Sequence, residues 1–212
     1  MTAIAPFLGP LALLSAALLA SGEPGALPCV YAAAPTAAEP APELELHAGC
    51  AVIGEDGGLV VAPAHRSAAR YVDGLAALRV DGGWYYVRPD GPALRVVTLD
   101  NGPDDWSEGR VRSPRGGGIA YVDAALREVI PPRYDWGWPF EGGRALVCVG
   151  CRPGEPDGEH RPMVGGRWGY VDAGGREVVP VTLSREEALA LRTVPGAAGP
   201  PPGGTDADPE DP

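Results

Sequence analysis

Arg167-Trp168-Gly169-Tyr170-Val171-Asp172-Ala173-Gly174-Gly175-Arg176-Glu177-Val178-Val179-Pro180 is the stretch that decides the fold. Side chains along a strand alternate between faces, so Trp168 and Tyr170 share one face while Gly169 and Val171 share the other. Asp172-Ala173-Gly174-Gly175 supplies a residue suited to turns and two that accept positive φ. The β-branched Val178 and Val179 then resume extended structure until Pro180 removes a ladder donor. The stretch predicts a β-hairpin with one aromatic face that needs covering. A glycine directly after the tryptophan lets another backbone or ring lie close against the sheet.

A lone two-stranded hairpin is marginal in water, so such a unit has to stack on others like itself. Looser copies are present upstream. Gly83-Trp84-Tyr85-Tyr86-Val87 is followed by the turn Pro89-Asp90-Gly91, and Gly118-Ile119-Ala120-Tyr121-Val122-Asp123 by Arg127-Glu128-Val129-Ile130-Pro131. Tyr86 and Tyr121 are 35 residues apart, whereas Tyr121 and Tyr170 are 49 apart. A second marker, Gly74, Gly109 and Gly143, keeps spacings of 35 and 34. The register therefore slips after Gly143, which places an insertion of about 15 residues within Arg144 to Gly166, an event that repeat arrays tolerate in loops. Farther upstream, Ala51-Val52-Ile53 and Leu59-Val60-Val61-Ala62-Pro63 flank Glu55-Asp56-Gly57-Gly58 and read as a degenerate first copy.

These motifs resemble the bacterial WG-repeat (KWG-repeat) family. Its pattern runs Trp-Gly-Tyr-Ile/Val-Asp, a turn, a hydrophobic pair, Pro-Pro, Tyr-Asp, then Phe-x-x-Gly-x-Ala. Ile130-Pro131-Pro132-Arg133-Tyr134-Asp135 and Phe140-Glu141-Gly142-Gly143-Arg144-Ala145 match its second half, and Trp106-Ser107-Glu108-Gly109 and Asp73-Gly74-Leu75-Ala76 are weaker versions. Only Trp168-Gly169 fills the Trp-Gly slot itself; Trp84-Tyr85 and Ile119-Ala120 stand in the other copies. The resemblance covers roughly residues 50 to 180. It implies a secreted or envelope protein, and it carries no catalytic residues to transfer.

The chain has 212 residues and a formal net charge of −11, with arginine and no lysine among its basic residues. Phosphate binding needs clustered positive charge, and no such run is present, which argues against a nucleic-acid partner. Residues 1–22 read as a signal peptide, with an apolar core from Leu11 to Ala20 that is short for a membrane span and small residues at Ser21-Gly22. After cleavage the chain is not expected to span a membrane. Residues 23–48 read as an Ala/Pro-rich linker and 49–183 as the repeat domain. Residues 184–194 read as a short helix opened by Ser184 with Glu187 three positions on, and 195–212 as a disordered acidic tail.

Cys148-Val149-Gly150-Cys151 is the one short motif with chemical potential. A redox pair wants its first cysteine at a helix N-terminus, but Ala145-Leu146-Val147 reads as a strand and Arg152-Pro153-Gly154 as a turn. A zinc site could add His160, yet a fourth ligand at fitting spacing is missing. A structural disulfide closing the inserted loop is the preferred reading, with Cys29 bonded to Cys50 as the second local pair. Neither Asp104-Asp105 nor Asp100-Asn101-Gly102 has the spacing of a calcium loop. His47, His65 and His160 have no motif partners, and no nucleophile elbow or P-loop is found.

The expected architecture is all-β: an array of antiparallel β-hairpin repeats, or a propeller-like or barrel closure of them, with one short C-terminal helix. Trp84, Tyr86, Tyr121, Phe140, Trp168, Gly169 and Tyr170 are its expected repeat core. The expected function is a secreted or periplasmic binding or scaffold protein without catalytic activity or cofactor, engaging a protein or envelope component. The alternative is a glycan- or choline-type ligand held by exposed aromatic residues, because Gly82-Gly83-Trp84-Tyr85-Tyr86 also resembles choline-binding repeats.

Overall fold

A computed structural model describes residues 25–192 apart from Asp56, Asp157, Glu159 and His160. The expected signal segment, the acidic tail and His160 lie outside the described residues. The first sheet takes up β1 (Leu27–Ala32), β2 (Leu44–Ile53) and β3 (Leu59–Val61), then, after the helix α1 (Pro63–Ala68), β4 (Ala76–Val80), β5 (Gly83–Val87) and β6 (Ala93–Val96). Its order is β3-β2-β1-β4-β5-β6, and β3 lies beside β6, so the sheet nearly closes into a barrel. A small ribbon, β7 (Thr98–Leu99) and β8 (Gly102–Pro103), leads to a three-stranded sheet of β9 (Val111–Arg115), β10 (Gly118–Val122) and β11 (Glu128–Tyr134). The last sheet holds β12 (Trp136–Gly137), β13 (Arg144–Pro153), β14 (Met163–Asp172) and β15 (Glu177–Leu183), followed by α2 (Arg185–Ala190).

Each repeat is a three-stranded meander rather than a hairpin: β4-β5-β6, β9-β10-β11 and β13-β14-β15. The marker glycines explain the extra strand. Asp73-Gly74, Glu108-Gly109 and Gly142-Gly143 all have positive φ at both positions, the geometry of a tight turn whose twist suits antiparallel strands, and each opens the first strand of a meander. The aspartate of the motif closes the second turn. Asp123 Oδ1 accepts from Ala125 N and Arg127 N, Asp172 Oδ1 accepts from Gly174 N and Arg176 N, and the arginine guanidinium pairs with the other carboxylate oxygen in both cases.

The two faces of each central strand belong to two different cores, which is why these strands are buried on both sides. On β5, Tyr85 and Val87 face the barrel interior with Tyr31, Val61 and Leu78. Trp84, on the opposite face, meets Val111 and Val122 of the second layer. On β10, Val122 looks back to that junction, while Ile119 and Tyr121 look forward onto Ala145, Val147 and Val171. On β14, Trp168 and Tyr170 are covered by Trp138 and by Ala188 of α2, where a further layer would otherwise sit. Gly169 has a steric reason to be glycine: a Cβ there would lie 2.5 Å from Val179 O and 2.7 Å from Pro180 O. β15 bulges across it between the pairs Trp168–Leu183 and Tyr170–Val179, and β11 bulges in the same way between Ile119–Tyr134 and Tyr121–Ile130. Pro131, Pro132 and Pro180 fall inside those bulges, where a missing N–H costs no ladder bond.

Three sequence expectations change. The segment expected as a linker, 23–48, contains β1 and the start of β2, because β1 pairs with both β2 and β4 and carries Tyr31 into the barrel. Its alternating short run is too brief to show as a period. The insertion after Gly143 is not a loop: β13 and β14 stay paired from Arg144–Asp172 out to Pro153–Met163, so Arg152 and Pro153 are strand residues. The helix α1 was missed although Pro63 stands at its first turn, a position proline favours. At the other end α2 begins at Ser184 with a reciprocal capping box to Glu187.

Candidate binding groove

The aromatic slots repeat in three dimensions as they do in sequence. Tyr86 donates its hydroxyl to Asp104 O at 2.8 Å, and Tyr121 donates to Trp138 O at 2.7 Å. Each acceptor lies two residues before the aromatic that packs on the tyrosine: Trp106 on Tyr86, with ring centroids 5.8 Å apart, and Phe140 on Tyr121 at 5.1 Å. Tyr170 occupies the third slot; its hydroxyl is buried without a hydrogen-bond partner, and the Arg144 guanidinium lies 4.4 Å from its ring centroid. Among the residues expected as repeat core, Trp84, Tyr121, Phe140, Trp168 and Tyr170 are buried, whereas Tyr86 is half-buried. Burial pushes the Tyr121 hydroxyl far above the ordinary tyrosine range. Tyr86 is pushed up to about 12, by burial first and then by the carboxylates of Asp104 and Asp105.

The half-buried pair of Tyr86 and Trp106 lines a groove of about 490 Å³ between the first and second layers. Leu44, Leu75 and Ala77 line it as well, with Arg70 and Asp73 as its charged groups. The groove exists because the layers differ in width. The first sheet is six strands wide and the sheet that covers it is three, so the junction core ends at Ala77 on β4, and Leu44 at the start of β2 is left exposed. A mostly apolar cleft of this size with a few polar groups has the makings of a ligand or peptide site.

Beneath the groove sits a buried ion pair that sequence reading missed. Asp104 and Arg112 are almost wholly buried, and Arg112 Nη2 lies 2.6 Å from Asp104 Oδ1. Arg112 N also donates to Asp104 Oδ2 at 2.7 Å and Arg112 Nη1 to Gly137 O at 2.9 Å. One pair thus ties the connector after the first layer to the second layer and to the strand that leads into the third. The carboxylate that sequence reading weighed for calcium is spent on this arginine. Acidic composition hid the pair, since Asp104 and Arg112 are eight residues apart and lie on elements whose approach only the turn at Glu108-Gly109 produces.

The cysteines form the two disulfides Cys29–Cys50 and Cys148–Cys151. The first joins β1 to β2. The second lies within β13, across the positive-φ Gly150, with Cys148 beside Trp168 in the third-layer core. His47 and His65 flank Tyr31: the Tyr31 hydroxyl is 2.9 Å from His65 Nδ1, and His47 Nε2 donates to Tyr31 O at 3.3 Å. Among the described residues no three His, Cys, Asp or Glu side chains are grouped to hold a metal ion, and no helix is long and apolar enough to cross a membrane.

A family model described as the WG containing repeat matches residues 120–150, from the middle of β10 into β13. No curated protein and no solved structure matches the chain.

Proposed function

Given that this chain is a WG-repeat protein, we propose that it is an exported bacterial binding or scaffold module, periplasmic or secreted, that engages an apolar segment of a protein or envelope partner through the groove between its first two layers. The observation that carries this reading is the departure of that junction from the repeat plan. The same tyrosine–aromatic slot that is sealed at Tyr121 and Phe140 is left half-open at Tyr86 and Trp106. Its lining offers one guanidinium and one carboxylate among apolar side chains, a composition suited to binding rather than to acid–base or nucleophilic chemistry. Two disulfides favour an oxidising compartment.

A second reading, a glycan or choline-type ligand, draws on the same two rings. They touch one another, however, and so form a wall more than a cage around a cation. Titration of the oxidised chain followed by tryptophan fluorescence separates the two. Short apolar peptides are expected to shift the emission, and Trp106→Phe to abolish the shift; a response to choline or glycan fragments alone replaces the first reading with the second. A response to neither, or one that survives Trp106→Phe, removes the groove as the site. Export is tested separately by cell fractionation with intact-mass measurement of the mature N-terminus.

A further inference from the structure

The first layer leaves one strand edge unpaired. β3 pairs with β2 only over Ala51 to Ile53, and the bond from Ala62 N to Cys50 O is the last on that side. Among the described residues, Leu44 to His47 make ladder pairs only toward β1, and Ala48 and Gly49 lie in the register shift between His47 and Ala51. The helix α1 does not substitute for a strand there. It crosses to the far end of β1, where Ala34 N donates to Ala68 O and Arg70 N to Ala32 O. This edge is also apolar: Leu44 is 56% exposed and Leu46 72%. Proteins normally blunt such an edge with lysine, proline or a bulge. Here Pro40 and Pro42 stop short of Leu44, and the register shift that contains Gly49, at φ 65°, begins after His47, so the four residues Leu44–His47 form the regular part of the free edge and Ala48 borders it.

We propose that Leu44–Ala48 is a self-association edge, at which a second copy of the chain pairs its own β2 antiparallel to the first about a two-fold axis through Leu46. The sequence of the edge is self-complementary in that register. Leu46 lies opposite Leu46 of the second copy, Leu44 opposite Ala48, and Glu45 opposite His47. Glu45 is exposed and makes no ion pair among the described residues, and His47 is held in place by stacking on Tyr31 at 3.8 Å. Like charges directly across an antiparallel pair oppose it. Shifting the axis to residue 45 sets two glutamates face to face, shifting it to residue 44 sets Glu43 against Glu45, and shifting it to residue 47 runs the pairing into the register shift at Ala48 and Gly49, so Leu46 is the register left. A two-fold axis there stands perpendicular to the joined sheets, which leaves both grooves on the same side of the dimer. The pair is then bivalent toward an extended partner and gains avidity without any new contact.

Sedimentation equilibrium of the oxidised chain tests this. A concentration-dependent dimer is expected, and a monomer throughout the micromolar range overturns the proposal. Leu46→Lys, at an exposed site that the fold does not need, is expected to give a monomer with an unchanged circular dichroism spectrum; a persisting dimer means that another surface is used. His47→Glu places two carboxylates across both symmetric pairs and is expected to weaken dimerisation about tenfold. Adding Glu45→Lys to His47→Glu sets opposite charges across them and is expected to recover most of that loss. Failure to recover in a double variant that folds, as judged by its spectrum, rules out the Leu46-centred register. These outcomes are independent of whether the groove binds anything.

Discussion

The junction between the first and second layers and the junction between the second and third are built from the same parts and end in different states. Both use a tyrosine whose hydroxyl reaches the carbonyl two residues before the next aromatic. At the later junction Phe140 seals Tyr121 completely; at the earlier one Trp106 leaves Tyr86 half-buried over a groove. The difference lies in what surrounds the slot. The second and third layers cover one another with sheets of similar width, whereas the barrel-like first layer is wider than its cover. A repeat array can thus open a groove without any special residue, by stacking units of unequal size.

Breaking the element common to both junctions should cost most. Asp104→Ala leaves Arg112 buried without its carboxylate and is expected to lower stability by about 3–5 kcal/mol in urea unfolding. A loss below about 1 kcal/mol would mean that water reaches Arg112 and that the pair does not join the layers. Truncating the two aromatics compares the junctions directly. Phe140→Ala is expected to cost about 3–5 kcal/mol, as for a fully buried ring, while Trp106→Ala costs about half as much despite its larger side chain, because part of it already faces solvent. Equal losses would show that the groove closes in solution.

Removing only the hydroxyls sharpens the comparison. Tyr121→Phe leaves Trp138 O without its donor in a dry site, at about 1–2 kcal/mol, and Tyr86→Phe should cost roughly half of that because water can replace the bond. The last comparison is made at alkaline pH. The folded Tyr86 is raised to about 12, against about 10 for an unfolded tyrosine. Its contribution to stability is therefore complete below about pH 10 and is lost as pH climbs toward 12. Stability measured between pH 9 and 11 should fall less steeply in Tyr86→Phe than in the parent chain, and an unchanged slope would assign the fall to other tyrosines.

Much of the layer plan was legible. The spacing of Tyr86, Tyr121 and Tyr170, the glycines at 74, 109 and 143 and the aspartates at 123 and 172 each mark a backbone event that short-range chemistry dictates: a ring on one face of a strand, a positive φ, a carboxylate closing its own turn. The first strand of the last meander was legible at Ala145-Leu146-Val147, but those of the two earlier meanders were hidden, since Ala76–Val80 and Val111–Arg115 look like connections until the turn at Gly74 or Gly109 is seen to fold them back. β1 was hidden for another reason. Its residues sit in Ala/Pro-rich surroundings, and pairing with β2 on one side and with β4, far along the chain, on the other makes them a strand. The groove was illegible as well, because Tyr86 and Tyr121 occupy equivalent slots and their own sequences do not reveal which will be covered.

The repeated unit, its turns, the placing of rings on one face of the last central strand, and the helix started by Ser184 are written in the chain locally, because these depend on φ preferences and side-chain periodicity within a few residues. Long-range packing, by contrast, curls the first layer toward a barrel, brings Asp104 to Arg112, and leaves Tyr86 half-open while Tyr121 is sealed. Those outcomes depend on which layer covers which, and the width of a neighbouring sheet is set by strand pairings between residues tens of positions apart, which local chemistry does not encode.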